Sequence, residues 1–423
     1  MRNDGVFSTT SRAWRCLCQP PFPSRFGGRF FDRLQQRADP HEIVAHYRVS
    51  LRTVQRLGAR WEERGDEGLV PDYQHCGVHQ VAATPGSLVE QICQTRRDHP
   101  RWGAEMIRLE LAPQHELPCS RTMRRHLRKA GLHPAPAGRT PSAERPRVPR
   151  AERPHQGWQT DAAEQFHLQG HHQACWLRFV DECSGAFLKT LVFPTARWEN
   201  VDRHEIQQQF REVFSRWGLP ERLRVDNGYP WGSSGDFPPE LALWLIGLGI
   251  EMIWIWPGCP QHNGVVERSQ GTGKNWAEPP ACRSAGELQR RCDEMDRRQR
   301  ERYPYRDGRS RWEVYPELHH SGRPYSRRWE RQHWDLSKVL AVVSQQVVKR
   351  QVDASGSVSL YHRTRYVGKP RIGTQVYVSL DPTGPTWVFA DENGNELRTH
   401  PADELTTERI QSLTVGCRKG KRS

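Results

Sequence analysis

One stretch, from Trp254 to Arg268, requires a strand, a break and a helix to follow one another. It begins as the end of an apolar run and is broken by Pro257-Gly258, two residues that interrupt regular structure. A helix is predicted beyond the break, and its first turns carry a single carboxylate, Glu267. The fold of this chain must therefore bring a strand end close to the start of a helix.

Two earlier strand-like runs also end on an acid. The first closes on Asp161 and the second on Asp226, which is followed by Asn227-Gly228. Each acid alone has an ordinary explanation, because Asp-Asn-Gly is a common turn and an acid at a strand end often caps a helix. Together, three acids delivered by two strands and a helix can meet at one point, where carboxylate oxygens hold a divalent metal ion.

The order of elements around these acids predicts a mixed sheet with helices packed on it. Three β-rich runs come first, and Gln169-Gly170 and Ser184-Gly185 between them are hairpin signals. Helices and strands then alternate. The predicted elements are strands over 158–168, 174–181, 186–193, 222–226 and 250–256, with helices over 201–217, between the last two strands, and after Pro260.

The charge of the chain indicates a polyanionic partner. It carries 63 Lys and Arg against 49 Asp and Glu, a net charge of +14 with a pI near 9.5, which favours nucleic acid. The 11 cysteines contain no CxxC pair, which argues against a structural zinc site, and free thiols without a secretory signal favour a reducing cytoplasm. The apolar run from Leu241 to Trp256 is shorter than the roughly 20 residues of a membrane-spanning helix, so we expect no membrane partner.

Two predicted helices near the N-terminus match the helix-turn-helix pattern. Asp39-Pro40 starts a helix over 41–47, and Ser50 can cap a second one over 51–63. The outward-pointing polar residues of the second helix suit phosphates and base edges. These candidate DNA-binding residues are Arg52, Gln55 and Arg56. The alternative is an ordinary helical hairpin.

A second helical unit follows. Its predicted helices are 87–97, 102–111 and 121–130. Ser120 is expected to cap the third helix and Gly131 to close it. This helix has a basic face, which either contacts DNA or is simply solvated. The candidate DNA-binding residues on that face are Arg121, Arg124 and Arg125.

Three short blocks around the acids resemble the signature blocks of the retroviral-integrase-type catalytic core. They are Gln159-Thr160-Asp161, Val225-Asp226-Asn227-Gly228 and Gln261 to Arg268. Bacterial insertion-sequence transposases of the DDE type carry this core behind N-terminal helix-turn-helix units, as this chain is predicted to do. Forty residues, 227 to 266, separate the second acid from the third, slightly more than in retroviral integrases. The N-terminal His/Cys zinc domain of retroviral integrases has no matching spacing here.

The resemblance implies a ribonuclease-H-like fold in which Asp161, Asp226 and Glu267 are both the catalytic acids and the metal ligands. The cofactor would be two Mg²⁺ (or Mn²⁺) ions about 3.5–4 Å apart, with Asp161 bridging both, Asp226 holding one and Glu267 the other. Water and then a DNA 3′-hydroxyl would be the nucleophiles, which gives cleavage followed by strand transfer. Lys274, on the same helix face as Glu267, would hold a DNA phosphate or would be a solvated lysine.

As partners, the resemblance implies double-stranded DNA, as element ends and as target, and a homo-oligomer assembled on that DNA. An accessory ATPase is left open, and the expected location is the bacterial cytoplasm, at the nucleoid. Two other functions also stay open: a DNA-binding accessory or domesticated protein with an inactive integrase-type core, and a metal-dependent nuclease without strand transfer. The presence of all three acids favours an active transposase or integrase.

The fold class predicted from these observations is multidomain α+β, with N-terminal helix-turn-helix units, a mixed α/β core and a C-terminal small β-barrel. The barrel rests on short runs separated by turn signals. These runs are 339–343, 357–360, 364–367, 375–379 and 387–390. The predicted division is an unassigned N-terminal segment (1–31), a helix-turn-helix (32–80), a second helical DNA-binding unit (81–132), a Pro/Arg linker (133–155), the catalytic core (156–282), a charged helical connector (283–337), the barrel (338–408) and a basic tail (409–423).

Overall fold

A computed structural model of the chain describes residues 32–33, 36, 38–65, 84–133, 150–232, 235–256, 259–381 and 383–416, with the backbone alone at 260–261. The unassigned segment 1–31, residues 134–149 of the predicted linker and residues 417–423 of the predicted tail lie outside the described residues. The chain divides into two compact units, which meet in sequence between Pro85 and Gly86.

The first unit contains the two predicted helices, α1 (Pro40–Tyr47) and α2 (Leu51–Arg64). Both begin at their expected caps, because the side chains of Asp39 and Ser50 each accept a hydrogen bond from a first-turn N–H, at 2.9 and 3.2 Å. A short turn joins the helices, and their facing sides share a small core. Its buried members are Ile43, Val54 and Leu57. DNA contact by this helix pair stays a prediction.

The second unit begins with three helices. They are α3 (Gly86–Asp98), α4 (Ala104–Leu111) and α5 (Ser120–Lys129). Trp102 ties them to the rest of the unit, because its indole N–H donates to the carbonyl of Trp276 at 3.0 Å. The prediction that Ser120 caps α5 is wrong. Cys119 holds the cap position, and the Ser120 hydroxyl donates instead to the carboxylate of Glu105, a charged and therefore stronger acceptor.

A five-stranded mixed sheet forms the centre of the second unit, with strand order β3-β2-β1-β4-β5. Its strands are β1 (Gly157–His167), β2 (Gln173–Asp181), β3 (Phe187–Phe193), β4 (Arg222–Val225) and β5 (Glu251–Trp254). The first three pair antiparallel, whereas β4 runs parallel to β1 and β5 runs parallel to β4. This mixed sheet confirms the predicted order of elements, with strand ends shifted by one or two residues.

Helices cover both faces of the sheet. They are α6 (Arg203–Trp217) and α7 (Glu240–Gly247) on one face, with α8 (Gly264–Ala277) and α9 (Ala285–Glu301) on the other. The alternating side chains of β2 are buried on both sides: Phe179 packs edge-on against Phe210 of α6, while the Trp176 indole N–H donates to Gln270 of α8 at 2.6 Å. In the described ranges, no helix combines the length and apolarity needed to cross a membrane.

Two glutamines of α9 cover the exposed edge of the sheet at β3. The side-chain amide of Gln289 accepts a hydrogen bond from the Val192 N–H at 2.8 Å and donates to the Thr190 carbonyl at 2.8 Å. Gln299 makes the same two-way exchange with the backbone nearer the start of β3, at 3.0 and 2.9 Å. Each amide thereby occupies the place of a neighbouring strand, and the edge is closed to further pairing there.

The prediction of a small C-terminal barrel is wrong, because the described strands do not close into one sheet. The described strands form a four-stranded antiparallel sheet, in the order β11-β10-β9-β6, and a separate two-stranded hairpin of β7 and β8. The strands are β6 (Val348–Gln351), β7 (Ser357–Leu360), β8 (Arg363–Tyr366), β9 (Gln375–Asp381), β10 (Thr386–Ala390) and β11 (Glu396–Pro401). The hairpin is local because Tyr361-His362 are both left-handed and return the chain after two residues.

The run over 339–343 is helical, which corrects its prediction as a strand. It lies inside α12, where Val339 and Val343 are buried one turn apart and the Asp335 carboxylate caps the helix through the Ser337 N–H at 2.8 Å. The remaining helices are α10 (Arg311–Val314), α11 (Arg327–His333), α12 (Leu336–Ser344) and α13 (Thr407–Gln411).

Replacing the edge-covering amides should open the sheet. In the double variant Gln289→Leu with Gln299→Leu, the side-chain volume is nearly kept, but four backbone groups of the β3 edge lose their partners. Each unsatisfied group costs roughly 1–3 kcal/mol, so the free energy of unfolding in urea should fall by several kcal/mol. Light scattering should also show concentration-dependent association through the bare edge.

The matched control is Gln91→Leu, which changes an exposed glutamine of α3. It should leave both the unfolding curve and the scattering unchanged. If the double variant matches this control, the amides do not protect the edge.

Candidate active site

Two of the three predicted acids lie at the same level of neighbouring strands. The parallel ladder between β1 and β4 pairs Trp158 with Leu223 and Gln159 with Arg224. Continued by two residues, this register places Asp161, in the middle of β1, opposite Asp226, one residue past the end of β4. Adjacent strands are about 4.7–4.9 Å apart, so the two carboxylates are neighbours across the sheet.

Asp161 is half-buried and is held from above by α8. The side-chain amide of Gln270 donates to the Asp161 carbonyl at 2.9 Å and to its Oδ2 at 3.1 Å. Burial raises the pKa of Asp161 to about 6; the Gln270 hydrogen bond opposes that rise, and the negative charges of Asp226 and Glu267 add to it. Asp226 and Glu267 are therefore each within electrostatic range of Asp161.

Asp226 is fixed by the turn that follows it. Burial raises the pKa of its carboxyl, and a hydrogen bond from the Gly228 N–H opposes the rise. A Cβ at Gly228 would lie only 3.1 Å from Asp226 Oδ2, so glycine leaves room for this contact. Asn227 donates from its side chain to the Ile255 carbonyl at 2.5 Å, which joins the end of β4 to the end of β5.

Glu267 lies in the first turn of α8 and is exposed. As they stand, no three His, Cys, Asp or Glu side chains among the described residues are grouped closely enough to hold a metal ion. The donor set nevertheless fits a divalent cation, because three carboxylates supply the hard oxygen ligands that Mg²⁺ prefers. A cation would also offset the negative charge gathered around the half-buried Asp161. Glu267 is exposed, and its side chain would have to change rotamer to complete the set.

Gln159 joins the strand of Asp161 to the helix of Glu267, a role that the sequence did not reveal. Its side-chain oxygen accepts hydrogen bonds from the N–H groups of Val265 and Val266 at 3.2 and 3.1 Å, in the first turn of α8. These are groups that a helix cannot satisfy internally. A signal was present in the sequence, because side chains two residues apart in a strand share a face, so Gln159 had to lie beside Asp161.

A buried ion pair holds Gln159 in turn. Its side-chain N–H donates to Glu182 at 3.0 Å, and Glu182 pairs with Arg224 of β4 at 3.3 Å. All three side chains are less than a tenth exposed. Gly157 leaves space for this pair, because a Cβ there would lie 2.7 Å from Glu182 Oε2. The chain from Arg224 to α8 thus links β4, the end of β2, β1 and the helix that carries Glu267.

The predicted DNA-binding residues take no part in the hydrogen bonds described for this network. The exposed ones are Arg52, Gln55 and Arg56 on α2, and Arg121, Arg124 and Arg125 on α5. Lys274 is half-buried on α8, with its ammonium 5.3 Å from the centre of the Phe166 ring, an arrangement that fixes the side chain by a cation–π contact. DNA contact by these seven residues stays a prediction.

No protein-family model matches the chain. Among solved structures, it is similar to the HTLV-2 integrase catalytic core domain in complex with magnesium (19% identity over 40% of this chain and 98% of that one, TM-score 0.30) and to the BIV integrase catalytic core (18%, 40% and 98%, TM-score 0.30). A third is the simian T-cell lymphotropic virus intasome in complex with PP2A regulatory subunit B56 gamma (16%, 73% and 96%, TM-score 0.33). All three are retroviral integrase structures. The likeness is distant, so the function proposed below rests on the residues of this chain.

The raised pKa of Asp161 predicts a pH dependence of stability in EDTA. Its carboxyl has a pKa of about 6 when folded, against an ordinary value of 3.8, so the folded state binds the proton more tightly. Stability from this group is therefore present below about pH 4 and is lost as the pH rises through about 6. Two pK units correspond to at most about 3 kcal/mol. In urea unfolding, Asp161→Asn should be more stable than the wild type at pH 7 and should lose that advantage at pH 4. The same difference in unfolding free energy between variant and wild type at both pH values would contradict the prediction.

The joint at Gln159 predicts local weakening of α8. Gln159→Leu leaves the Val265 and Val266 N–H groups without their acceptor, which should cost roughly 1–3 kcal/mol. Hydrogen exchange of these amides should therefore accelerate by about fivefold to a hundredfold. Amides in the middle of α9, on the same face of the sheet, serve as the internal control. Unchanged exchange at the first turn of α8 would show that the helix start is held by other contacts.

Proposed function

We propose that this chain is a DNA transposase or integrase that cuts and joins phosphodiester bonds with Asp161, Asp226 and Glu267. The observation that supports this is the approach of three carboxylates, from a strand, a strand end and a helix start, close enough for two of them to raise the pKa of the third. Like charges are costly to gather in a half-buried place, so their gathering favours a role that uses them.

The acids would hold one or two Mg²⁺ or Mn²⁺ ions. When bound, such ions activate an attacking oxygen and stabilise a leaving one in displacement at phosphorus. The rest of the site would keep the ligands in place. Gln270 would orient Asp161, and Asn227 and Gly228 would hold the turn of Asp226. The side-chain amide of Gln159 would fix the start of the helix that carries Glu267.

Two displacements would follow one another on the DNA. In the first, a water oxygen bonds to phosphorus while the bond from phosphorus to the 3′ oxygen breaks, which leaves a free 3′-hydroxyl at the element end. In the second, that hydroxyl oxygen bonds to a target phosphorus as the target's own 3′ oxygen departs. Both are in-line exchanges at phosphorus, and neither requires a covalent bond to the protein.

DNA would be bound by basic surfaces of both units. Arg52, Gln55 and Arg56 project from α2 as a recognition helix requires, and their donors suit phosphates and base edges. The basic face of α5 would add contacts that carry no sequence choice. These are Arg121, Arg124 and Arg125. Assembly as a homo-oligomer on DNA, with Lys274 near a phosphate, belongs to the same proposal.

The test is removal of each acid without loss of volume. Asp161→Asn, Asp226→Asn and Glu267→Gln should each reduce release and joining of labelled terminal DNA to the level of a protein-free control, because an amide is a poorer metal ligand than a carboxylate. Gel-shift affinity for the same DNA should stay within a few fold. Glu212→Gln, an exposed change on α6 on the opposite face of the sheet, is the matched control and should stay active.

Wild-type rates in Asp226→Asn, or full activity in excess EDTA, would exclude the metal-dependent site. A wild-type protein that binds terminal DNA but never cuts it with Mg²⁺ or Mn²⁺ would instead favour a DNA-binding protein with an inactive core.

A further inference from the structure

A cleft of about 310 Å³ lies against the side of α8 that faces away from Asp161. Helix α8 presents Gln270 toward Asp161, whereas Ser269 and Thr272 line the cleft. The other walls are the turn after β2 and the segment between α9 and α10. We call it the arginine cleft. It is defined by Arg150, Arg268, Arg311, Tyr303 and Tyr305.

The cleft is strongly cationic. Arg311 is anchored from behind, because its guanidinium donates to the Ser184 carbonyl at 3.2 Å and lies 4.4 Å from the centre of the Tyr305 ring. Arg150 and Arg268 are exposed at the mouth, and neither forms an ion pair with another described residue. The one carboxylate in the lining, Glu182, is already occupied by the buried guanidinium of β4. Three guanidinium groups therefore face the cleft without a carboxylate to balance them.

Aromatic rings also line the cleft. The ring of Tyr303 packs 4.8 Å from that of Trp276, centre to centre, which holds it in place. Tyr303 and Tyr305 are both partly exposed toward the cleft. Guanidinium groups beside tyrosine faces are the combination that binds unpaired nucleotides, since the cations hold phosphates and the rings stack on bases of any sequence.

The cleft adjoins two parts of the chain that are proposed to act on DNA, the basic face of α5 and the helix that carries Glu267. Burial raises the pKa of the Tyr303 phenol and the charge of Glu105 adds to that rise, whereas the charges of Arg311 and Arg124 oppose it. Arg124 belongs to the basic face of α5, so that face is within electrostatic range of the cleft. On the other side, Arg268 directly follows Glu267 in the first turns of α8. The cleft therefore lies within electrostatic range of α5 and is lined by the residue that follows Glu267.

We infer that the arginine cleft binds one unpaired nucleotide of a DNA strand, with guanidinium groups on its phosphate and a tyrosine against its base. The choice of DNA as the ligand rests on the proposed function. The volume admits a single nucleotide but not a double helix, and the charge selects an anion. Bound there, the unpaired end of a duplex would be held next to the helix that carries Glu267.

The experiment compares two DNA ligands in EDTA, so that no cleavage occurs. One is a fluorescently labelled blunt duplex, and the other is the same duplex with a three-nucleotide single-stranded tail at one end, tested with either polarity. The variant is Arg150→Gln with Arg268→Gln. Its matched control, Arg327→Gln with Arg328→Gln, removes the same two charges from exposed positions of α11.

The cleft variant should bind tailed DNA at least about tenfold more weakly than wild type, and the slope of log affinity against log salt should fall by about 1, as expected for one or two lost phosphate contacts on a single strand. It should bind blunt DNA no more weakly than the control variant does. Tyr305→Leu should likewise weaken binding of tailed DNA alone. Equal losses on both DNAs, or losses equal to those of the control, would overturn the inference.

Failure of the cleft and failure of the proposed function can be told apart. If wild type transfers strands with Mg²⁺ while the cleft variant binds tailed DNA normally, the cleft is excluded and the function stands. If the cleft variant loses tailed DNA while wild type never cleaves, the nucleotide site stands and the catalytic function fails.

Discussion

The candidate site depends on one side-chain amide. Gln159 is the physical joint between the sheet that carries two aspartates and the helix that carries the glutamate, because its oxygen satisfies two otherwise orphaned N–H groups of α8. A buried ion pair holds this amide in place. Arg224 of β4 pairs with Glu182, and Glu182 accepts a hydrogen bond from the Gln159 side chain. Three separate segments must therefore be folded before the third acid has a defined position.

A second buried charge system integrates the later part of the chain. Burial disfavours the charged form of Glu330 on α11, yet hydrogen bonds from Arg211, Tyr325 and Trp244 hold the pKa of this carboxyl below its usual range. Arg211 donates to it twice, at 3.0 and 2.7 Å, and the Trp244 indole adds a third bond at 2.9 Å. Buried charges are tolerated only when paired and saturated in this way. The segment after the core is thus built into the same hydrophobic layer as α6 and α7.

Local signals predicted most of the elements but not their long-range pairing. The caps at Asp39 and Ser50, the turn signals between β1, β2 and β3, and the break before α8 each lie within a few neighbouring residues. The run over 339–343 fits a strand or a buried helix turn equally well from its apolar residues alone, and the carboxylate that caps the helix, Asp335, lies outside that run. Closure of a barrel depends on which strands meet, and no pattern within a strand records that.

The same limit applies to the site. The three acids could be selected as candidates, because each is marked by its own strand or helix, and Gln159 was marked by its place two residues before Asp161. The partners Glu182 and Arg224 could not be predicted, since they are far apart in sequence and meet through the parallel pairing of β1 with β4.

The sealed edge at β3 constrains how copies of this chain can meet. A sheet with a bare edge can be lengthened by a neighbour's strand, which gives a continuous sheet running through two molecules. Here the two amides of α9 take up those backbone groups, so that route is closed on this side. Copies of this chain that associate would therefore need another surface, such as the opposite sheet edge at β5 or the outer faces of helices. Association through such a surface would leave the hydrogen bonds between β3 and α9 unchanged, so it would not draw on the interactions that stabilise the sheet.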